Sequence, residues 1–542
     1  MCFFTEYFPS SLHSPNQNIG VLFIILSILP TIILVSYVLI LVLFKWQHNV
    51  NNMSRNPLPP GPKSWPIVGS LIQTYTNRPI SQWIHKTMEE MNTEILCIRL
   101  GNVHVISVTS PEISCEILKK QDTLFSSRPL CNSTFLPSSG FRTAIFAPLG
   151  DQWKKMRRII SSEIVSPKKL EWLHASRVEE ADHMVTYILN KFKNLTSSTS
   201  CIVNVRMVTR HYCANIMRKM HFNKRFFGSG LQDGGPGEEE MEHVDAIFTL
   251  LDHVYAFDIA DYLPCLGFLD IFGHNKIIKK AVDSIRKYQD KIIDERILMW
   301  ELGSRIEEED ILDVLILLKD KEGRSALTPE EIKAQCLELM LAGVDNPSNA
   351  FEWALAEMLN QPNILTKATK ELDKIVGRQR LVQESDIPHL NYIMACAKEA
   401  FRLHPISYFI PPHVPTDDVI IDGYFIPKGS HVLISRYGLG RNPRVWTDPL
   451  RFDPDRHLMD DGSCVNLIDS EMHMLSFGMG RRGCPGMKLG STMTCMLFAR
   501  LLQTFDWRLP ENMISIDLRS ESKIGTSLAK PLLAQASPRM TN

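Results

Sequence analysis

The chain has 542 residues, with 59 basic and 60 acidic side chains, a net charge of −1 and 44% hydrophobic residues. So balanced a charge excludes a protein that works through a broad basic or acidic field, and no nucleic-acid partner is expected. Twelve cysteines with no CxxC pair and no even ladder of spacings fit reduced thiols better than a disulfide framework.

In chain order, the first predicted element is residues 19–44, a run of 26 positions without a charged or histidine side chain. About 20 apolar residues suffice to span a bilayer. The run exceeds a signal-peptide core, and Lys45, Arg55 and Lys63 follow it while no Lys or Arg precedes it. A single-pass anchor is expected, with residues 1–18 lumenal and everything beyond the run in the cytosol. Residues 45–62 are expected to be a linker that ends in the hinge Asn56-Pro57-Leu58-Pro59-Pro60-Gly61-Pro62. Locked proline dihedrals and missing donors favour stiff extended backbone there. Residues 63–542 are expected to form one catalytic domain.

Beyond the hinge, apolar residues recur at three- and four-residue spacing over 170–193, 276–302, 328–360 and 364–376, which predicts long amphipathic helices. Alternating or β-branched runs over 95–108 and 419–425 predict strands, the second closed by a turn at Pro427-Lys428-Gly429. The acidic, glycine-rich stretch 228–242 reads as a solvated surface loop. The expected fold is mainly α with a small β region.

Near the C-terminus, Phe477-Gly478-Met479-Gly480-Arg481-Arg482-Gly483-Cys484-Pro485-Gly486 sets one cysteine in a tight glycine-rich turn ahead of an apolar helix over 487–505. An axial thiolate on a haem iron needs such a turn, with backbone N–H groups facing the sulfur and a cation nearby for the propionates. Cys484 is therefore the candidate iron ligand and Arg482 the candidate cation.

With these residues the chain resembles the cytochrome P-450 superfamily, and further marks follow in the family's order. Glu399-Ala400-Phe401-Arg402 matches the E-x-x-R helix. Pro449-Leu450-Arg451-Phe452-Asp453-Pro454-Asp455-Arg456 matches P-x-x-F-x-P-x-R. The resemblance implies a single haem-thiolate monooxygenase domain behind the transmembrane helix. It also implies haem b as cofactor, O2 as co-substrate, and NADPH electrons delivered by a separate reductase, which Arg481 and Lys488 could meet. Glu399, Arg402 and Arg456 would form a structural charge network. Trp153, Arg157 and His413, with Arg482, would hold the propionates. The implied location is the endoplasmic reticulum membrane, with the catalytic domain cytosolic.

The oxygen-activating helix departs from the family's A-G-x-D-T-T. It reads Ala342-Gly343-Val344-Asp345-Asn346-Pro347, so Asp345 and Asn346 become the catalytic candidates. Asn346 donates and accepts hydrogen bonds but is no useful acid, which shifts proton delivery toward Asp345 and ordered water. Pro347 removes a helical donor and is expected to open the ladder locally. This segment, Glu352-Trp353-Ala354-Leu355, Arg456-His457 and Ser435-Arg436-Tyr437-Gly438-Leu439-Gly440-Arg441-Asn442-Pro443 resemble the plant amino-acid N-monooxygenases that form aldoximes.

That resemblance implies two N-hydroxylations of an L-amino acid, an aromatic one such as phenylalanine or tyrosine favoured, followed by conversion to the aldoxime. The alternative is a carbon hydroxylase of a phenolic or terpenoid metabolite. The chain departs from this subfamily where Gly478-Met479 interrupts the cysteine turn and where Ile410 replaces an asparagine in Phe409-Ile410-Pro411-Pro412-His413. A zwitterionic substrate needs a carboxylate partner in an apolar pocket. Arg142 is the candidate, with Thr526 or Ser527 as a hydrogen-bonding alternative, and Pro347 and Phe409 as lining residues.

Overall fold

The computed structural model describes residues 30, 33–38, 56–193, 200–266, 270, 273–459, 465–520 and 527–540. The chain divides into two units, residues 1–57 and 58–542. Most of the expected anchor, residues 19–44, lies outside the described residues; Pro30 and residues 33–38 are helical. Among the described residues, no helix is long and apolar enough to cross a membrane.

In the second unit the proline-rich stretch from Leu58 is laid against the sheet. The carbonyl of Pro60 accepts a hydrogen bond from the Cys97 N–H at 2.8 Å, and a Cβ on Gly61 would collide with the Cys97 carbonyl. This part of the predicted linker is thus packed structure.

The helices that build the site are α1 (Ile80–Glu90), α2 (Asp151–Ile159), α3 (His174–Lys193), α4 (Val205–Phe222), α5 (Glu238–His253), α6 (His274–Glu301), α7 (Pro329–Asn360), α8 (Pro362–Ile375), α9 (Asn391–Leu403) and α10 (Met487–Thr504). Strands β1 (Ile95–Leu100), β2 (Val103–Val108) and a later strand, His431–Ile434, make one three-stranded sheet, with Val105 opposite His431. Cys201–Asn204, Phe505–Arg508 and Leu533–Pro538 make a second, and Val419–Ile421 pairs with Tyr424–Ile426. The structure is mainly helical with small sheets.

Helix α7 is the spine of the domain and packs on α4, α9 and α10. Thr328 caps it in a reciprocal box, its hydroxyl accepting from the Glu331 N–H while the Glu331 carboxylate accepts from the Thr328 N–H. Pro347 does not break α7. The helix continues from Pro329 to Asn360, and the Ser348 hydroxyl donates to the carbonyls of Val344 and Asp345, both at 2.9 Å. The missing N–H costs one rung of the ladder, at the Gly343 carbonyl, and the helix runs on without a break beyond it.

Three sequence expectations are corrected here. The run 419–425 is not one strand but a hairpin turning at Asp422-Gly423, both at positive φ, while the turn expected at Pro427-Lys428-Gly429 is present, the Ser430 N–H donating to the Pro427 carbonyl at 3.2 Å. The acidic loop ends at Glu238, where α5 begins, and its Glu240 is fully buried, accepting from the N–H groups of Phe227, Gly228 and Gly237. The helix over 170–193 is broken at Leu173 into two pieces.

Candidate haem-thiolate site

Cys484 sits at the end of a turn that its glycines make possible. Gly478 and Gly480 adopt φ of 64° and 72°, and a Cβ on Gly480 would meet the carbonyl of Leu118. The Cys484 N–H donates to the Phe477 carbonyl at 2.8 Å. Burial raises the thiol's pKa, while the Gly486 N–H, aimed at the sulfur, and the Arg157 and Arg436 cations lower it. The same donors and cations would stabilise a metal-bound thiolate.

Behind the turn, Glu399 collects a network that spans α9 and the loop after the first sheet. Arg402 grips it with two hydrogen bonds of 2.7 Å, Arg456 donates at 3.2 Å and His457 at 2.8 Å. Arg402 also donates to the carbonyls of Gly440, Pro449 and Arg451. Burial raises the Glu399 pKa, but these donors prevail and hold it at about 2. A carboxylate this firmly ionised is scaffold. The expected trio comes together, and His457 joins it as a fourth member that the sequence marked only by its place after Arg456.

Three guanidinium groups converge on the other flank. Arg482 donates to the carbonyls of Ser126, Ala144 and Ala147, and its cation lies 4.4 Å over the Trp153 ring. Burial, then the cations Arg128 and Arg157, bring its pKa down to about 9. Arg128 is buried, donates to the carbonyls of Pro411 and Pro412, and keeps a buried Nε without a hydrogen-bond partner. Crowded cations of this kind call for bound anions. The two propionates of haem b fit that demand, with Arg128, Arg157, Arg482 and Trp153 as the residues that would hold them.

His413 lies beside the same cations. It is buried and its Nδ1 bonds the Phe125 carbonyl at 2.7 Å, while burial and then Arg128 hold its pKa well below the usual range. Arg128 adds a further cation there, and sequence reasoning missed it. The signal was an arginine held in the string Phe125-Ser126-Ser127-Arg128-Pro129.

On the opposite side, Ala342, Gly343, Asp345 and Asn346 are the accessible residues in an otherwise buried stretch of α7, so they line open space inside the domain. Burial raises the Asp345 pKa to about 7, with Arg210 opposing, Asp252 adding to the rise and Arg436 opposing again. Arg210 projects from α4 and stacks 3.5 Å over the Phe248 ring. Asp252, on α5, is exposed, so a line of charged groups runs from Asp345 outward. Arg210 was not foreseen, because α4 is buried on nearly every face, and neither was Arg436, which stands in the short helix Arg436–Leu439.

The substrate candidates scatter. Arg142 is exposed, in an open groove with Thr328 and Glu331 at the start of α7. Asp345 lies almost four turns further along, about 20 Å by helix rise, so the structure does not bring the two together. Phe409 turns toward the first sheet and stacks on His85 at 5.2 Å. Pro347 is buried in the helix body. Thr526 lies outside the described residues. Its neighbour Ser527 begins a segment tied to α7: Arg206 pairs with Glu352 at 2.9 Å and donates to the Leu528 carbonyl, and Glu352 accepts from the Leu532 N–H.

The family model for cytochrome P450 matches residues 59–533. The chain belongs to the cytochrome P450 family. It is thus a haem-thiolate monooxygenase, using haem and O2 with electrons from NADPH through a reductase. It is 53% identical over 493 residues to isoleucine N-monooxygenase 1 of Lotus japonicus, covering 91% of this chain and 92% of that protein. Tyrosine N-monooxygenase of Sorghum bicolor is 52% identical, covering 89% of this P450 and 86% of the relative. Phenylalanine N-monooxygenase of Arabidopsis thaliana is also 52% identical, with 89% and 91% covered.

Proposed function

We propose that this P450 oxidises the α-nitrogen of an L-amino acid twice and converts the product to the aldoxime. The observation that carries the proposal is identity above one half, over nine-tenths of the chain, to relatives that are all named amino-acid N-monooxygenases. Each of the two N-hydroxylations consumes one O2 and one NADPH and releases one water. Loss of a further water and of carbon dioxide from the N,N-dihydroxy product leaves the oxime.

When bound, haem supplies oxygen activation, with the Cys484 thiolate favouring O–O cleavage. The chain's own residues supply protons and position. With a pKa of about 7, Asp345 exists in both protonation states near neutrality and can give or take a proton. Arg210 and the exposed Asp252 link it to solvent. Asn346 offers an amide where the family's usual threonine has a hydroxyl, which suits a polar, hydrogen-bonding substrate. Relatives named for isoleucine and for aromatic amino acids are equally similar, so the proposal names L-amino acids as the class. The aromatic preference is left to the substrate panel.

We propose also that residues 19–44 anchor the protein in the endoplasmic reticulum membrane, with the catalytic domain cytosolic. Exposed Arg481 and Lys488 would then meet an acidic reductase surface. Microsomes containing the full chain and a reductase, fed each of the twenty amino acids and, in parallel, a panel of phenolics and terpenoids, test the reading. An oxime from one or a few amino acids is expected. Hydroxylated phenolics or terpenoids, with no nitrogen oxidation, would establish the carbon-hydroxylase alternative instead.

A further inference from the structure

Two arginines feel the charge of Asp345, and they differ in what else surrounds them. Arg210 already stands among Glu352 and Asp252 and stacks on Phe248. Arg436 has no carboxylate within ion-pair distance among the described residues. Its one polar contact is to the Ser407 hydroxyl, at 3.5 Å from Nη1, and its Nε is buried with no hydrogen-bond partner. The charged groups it feels are Cys484 and Asp345. A guanidinium so placed borders the internal space that Ala342 and Asp345 line.

Its backbone is fixed. Ser435 caps the short helix Arg436–Leu439, its hydroxyl accepting from the Gly438 N–H at 2.8 Å and bonding His85 Nε2 at 2.6 Å. Ser435 is also bridged to Phe409 across the sheet edge. An arginine mounted on a rigid turn, desolvated and without an anion, is costly unless a ligand brings the anion. The propionate cluster does not require it, since the cations that Arg482 feels are Arg128 and Arg157.

We propose that Arg436 binds the carboxylate of the amino-acid substrate, by a charge-assisted pair, and so turns the α-nitrogen toward Asp345. The inference rests on the functional reading above and moves the carboxylate partner from exposed Arg142 to a residue inside the site. It also gives Ser407, which would hold the guanidinium in place, a positioning role.

The test is ligand binding to the ferric holoenzyme, read as the shift of its Soret band. L-Phenylalanine, L-tyrosine and L-isoleucine are titrated beside phenethylamine, tyramine and 2-methylbutylamine, which lack the carboxylate, with 4-phenylimidazole as a neutral control. Arg436→Leu is expected to raise the dissociation constant of the responding amino acid about ten- to a hundredfold. The amines and the azole should stay within about twofold. Arg436→Gln gives the same reading should the leucine variant fail to take up haem. A variant with an intact thiolate-type carbon-monoxide spectrum that binds the amino acid as wild type does would overturn the assignment alone. Wild-type protein that responds to no L-amino acid would overturn the functional reading and this inference with it.

Discussion

Glu399 is fully buried and Asp345 half-buried, both carboxylic acids on helices of the haem-thiolate site, yet one is held at about 2 and the other at about 7. The difference lies in bonding. Glu399 receives donors from Arg402, Arg456 and His457 at 2.7 to 3.2 Å. Asp345 is surrounded by charges but has no side-chain hydrogen bond among the described residues, so burial dominates. A carboxylate that the protein saturates is frozen as scaffold, while one left unsaturated keeps a mobile proton.

Both depend on the cysteine, and removing it has the largest expected effect. Cys484→Ala should abolish the thiolate-type spectrum of the reduced carbon-monoxide complex and all NADPH-dependent turnover. Retention of that spectrum would remove Cys484 as ligand. Next comes the scaffold. Glu399→Gln leaves Arg402 buried with a neutral partner and should cost about 3–5 kcal/mol of stability, seen as a lower melting temperature and poor haem retention.

Asp345→Asn should do the reverse, sparing the fold and haem content while lowering kcat about 10²-fold, the low end for loss of a general acid. Wild-type kcat should fall as pH rises through about 7, where Asp345 gives up its proton, and the variant should lose that limb. A flat wild-type profile would break the contrast.

The two carboxylates also carry opposite pH slopes of stability. Glu399, depressed from 4.5 to about 2, stabilises above 4.5 and loses that contribution as pH falls through about 2. Asp345, raised from 3.8 to about 7, favours the folded state most below 3.8 and loses that advantage as pH rises through about 7. Melting curves of Glu399→Gln and Asp345→Asn against pH should each lack one slope. The smallest effect belongs to Arg142→Leu, which should leave the Michaelis constant for the amino acid within about twofold, because Arg142 is exposed and far from Asp345. A large rise would restore the original expectation.

What could be read from the sequence follows the same division. The cysteine turn, the Glu399-Arg402 pair and the arginine at 456 are local strings whose chemistry needs those residue types at fixed spacing. The long helices around α7 kept a visible apolar face. Arg128, Arg210 and Arg436 were hidden because each works through residues distant in the chain, and an arginine on a buried helix or strand end looks like any other until the fold closes. The hairpin at Asp422-Gly423 was missed because the stronger turn signal at Pro427 lies a few residues later.

The central claim, that nitrogen is the atom oxidised, is tested most directly by turnover under ¹⁸O2. The full chain, a reductase and NADPH are incubated with the responding L-amino acid labelled with ¹⁵N, and the products are resolved by mass. The account predicts an oxime carrying both the ¹⁵N and one ¹⁸O, with labelled carbon dioxide absent from the oxygen balance and no product when NADPH is withheld. Label found on carbon, with the ¹⁵N amine intact, would contradict it.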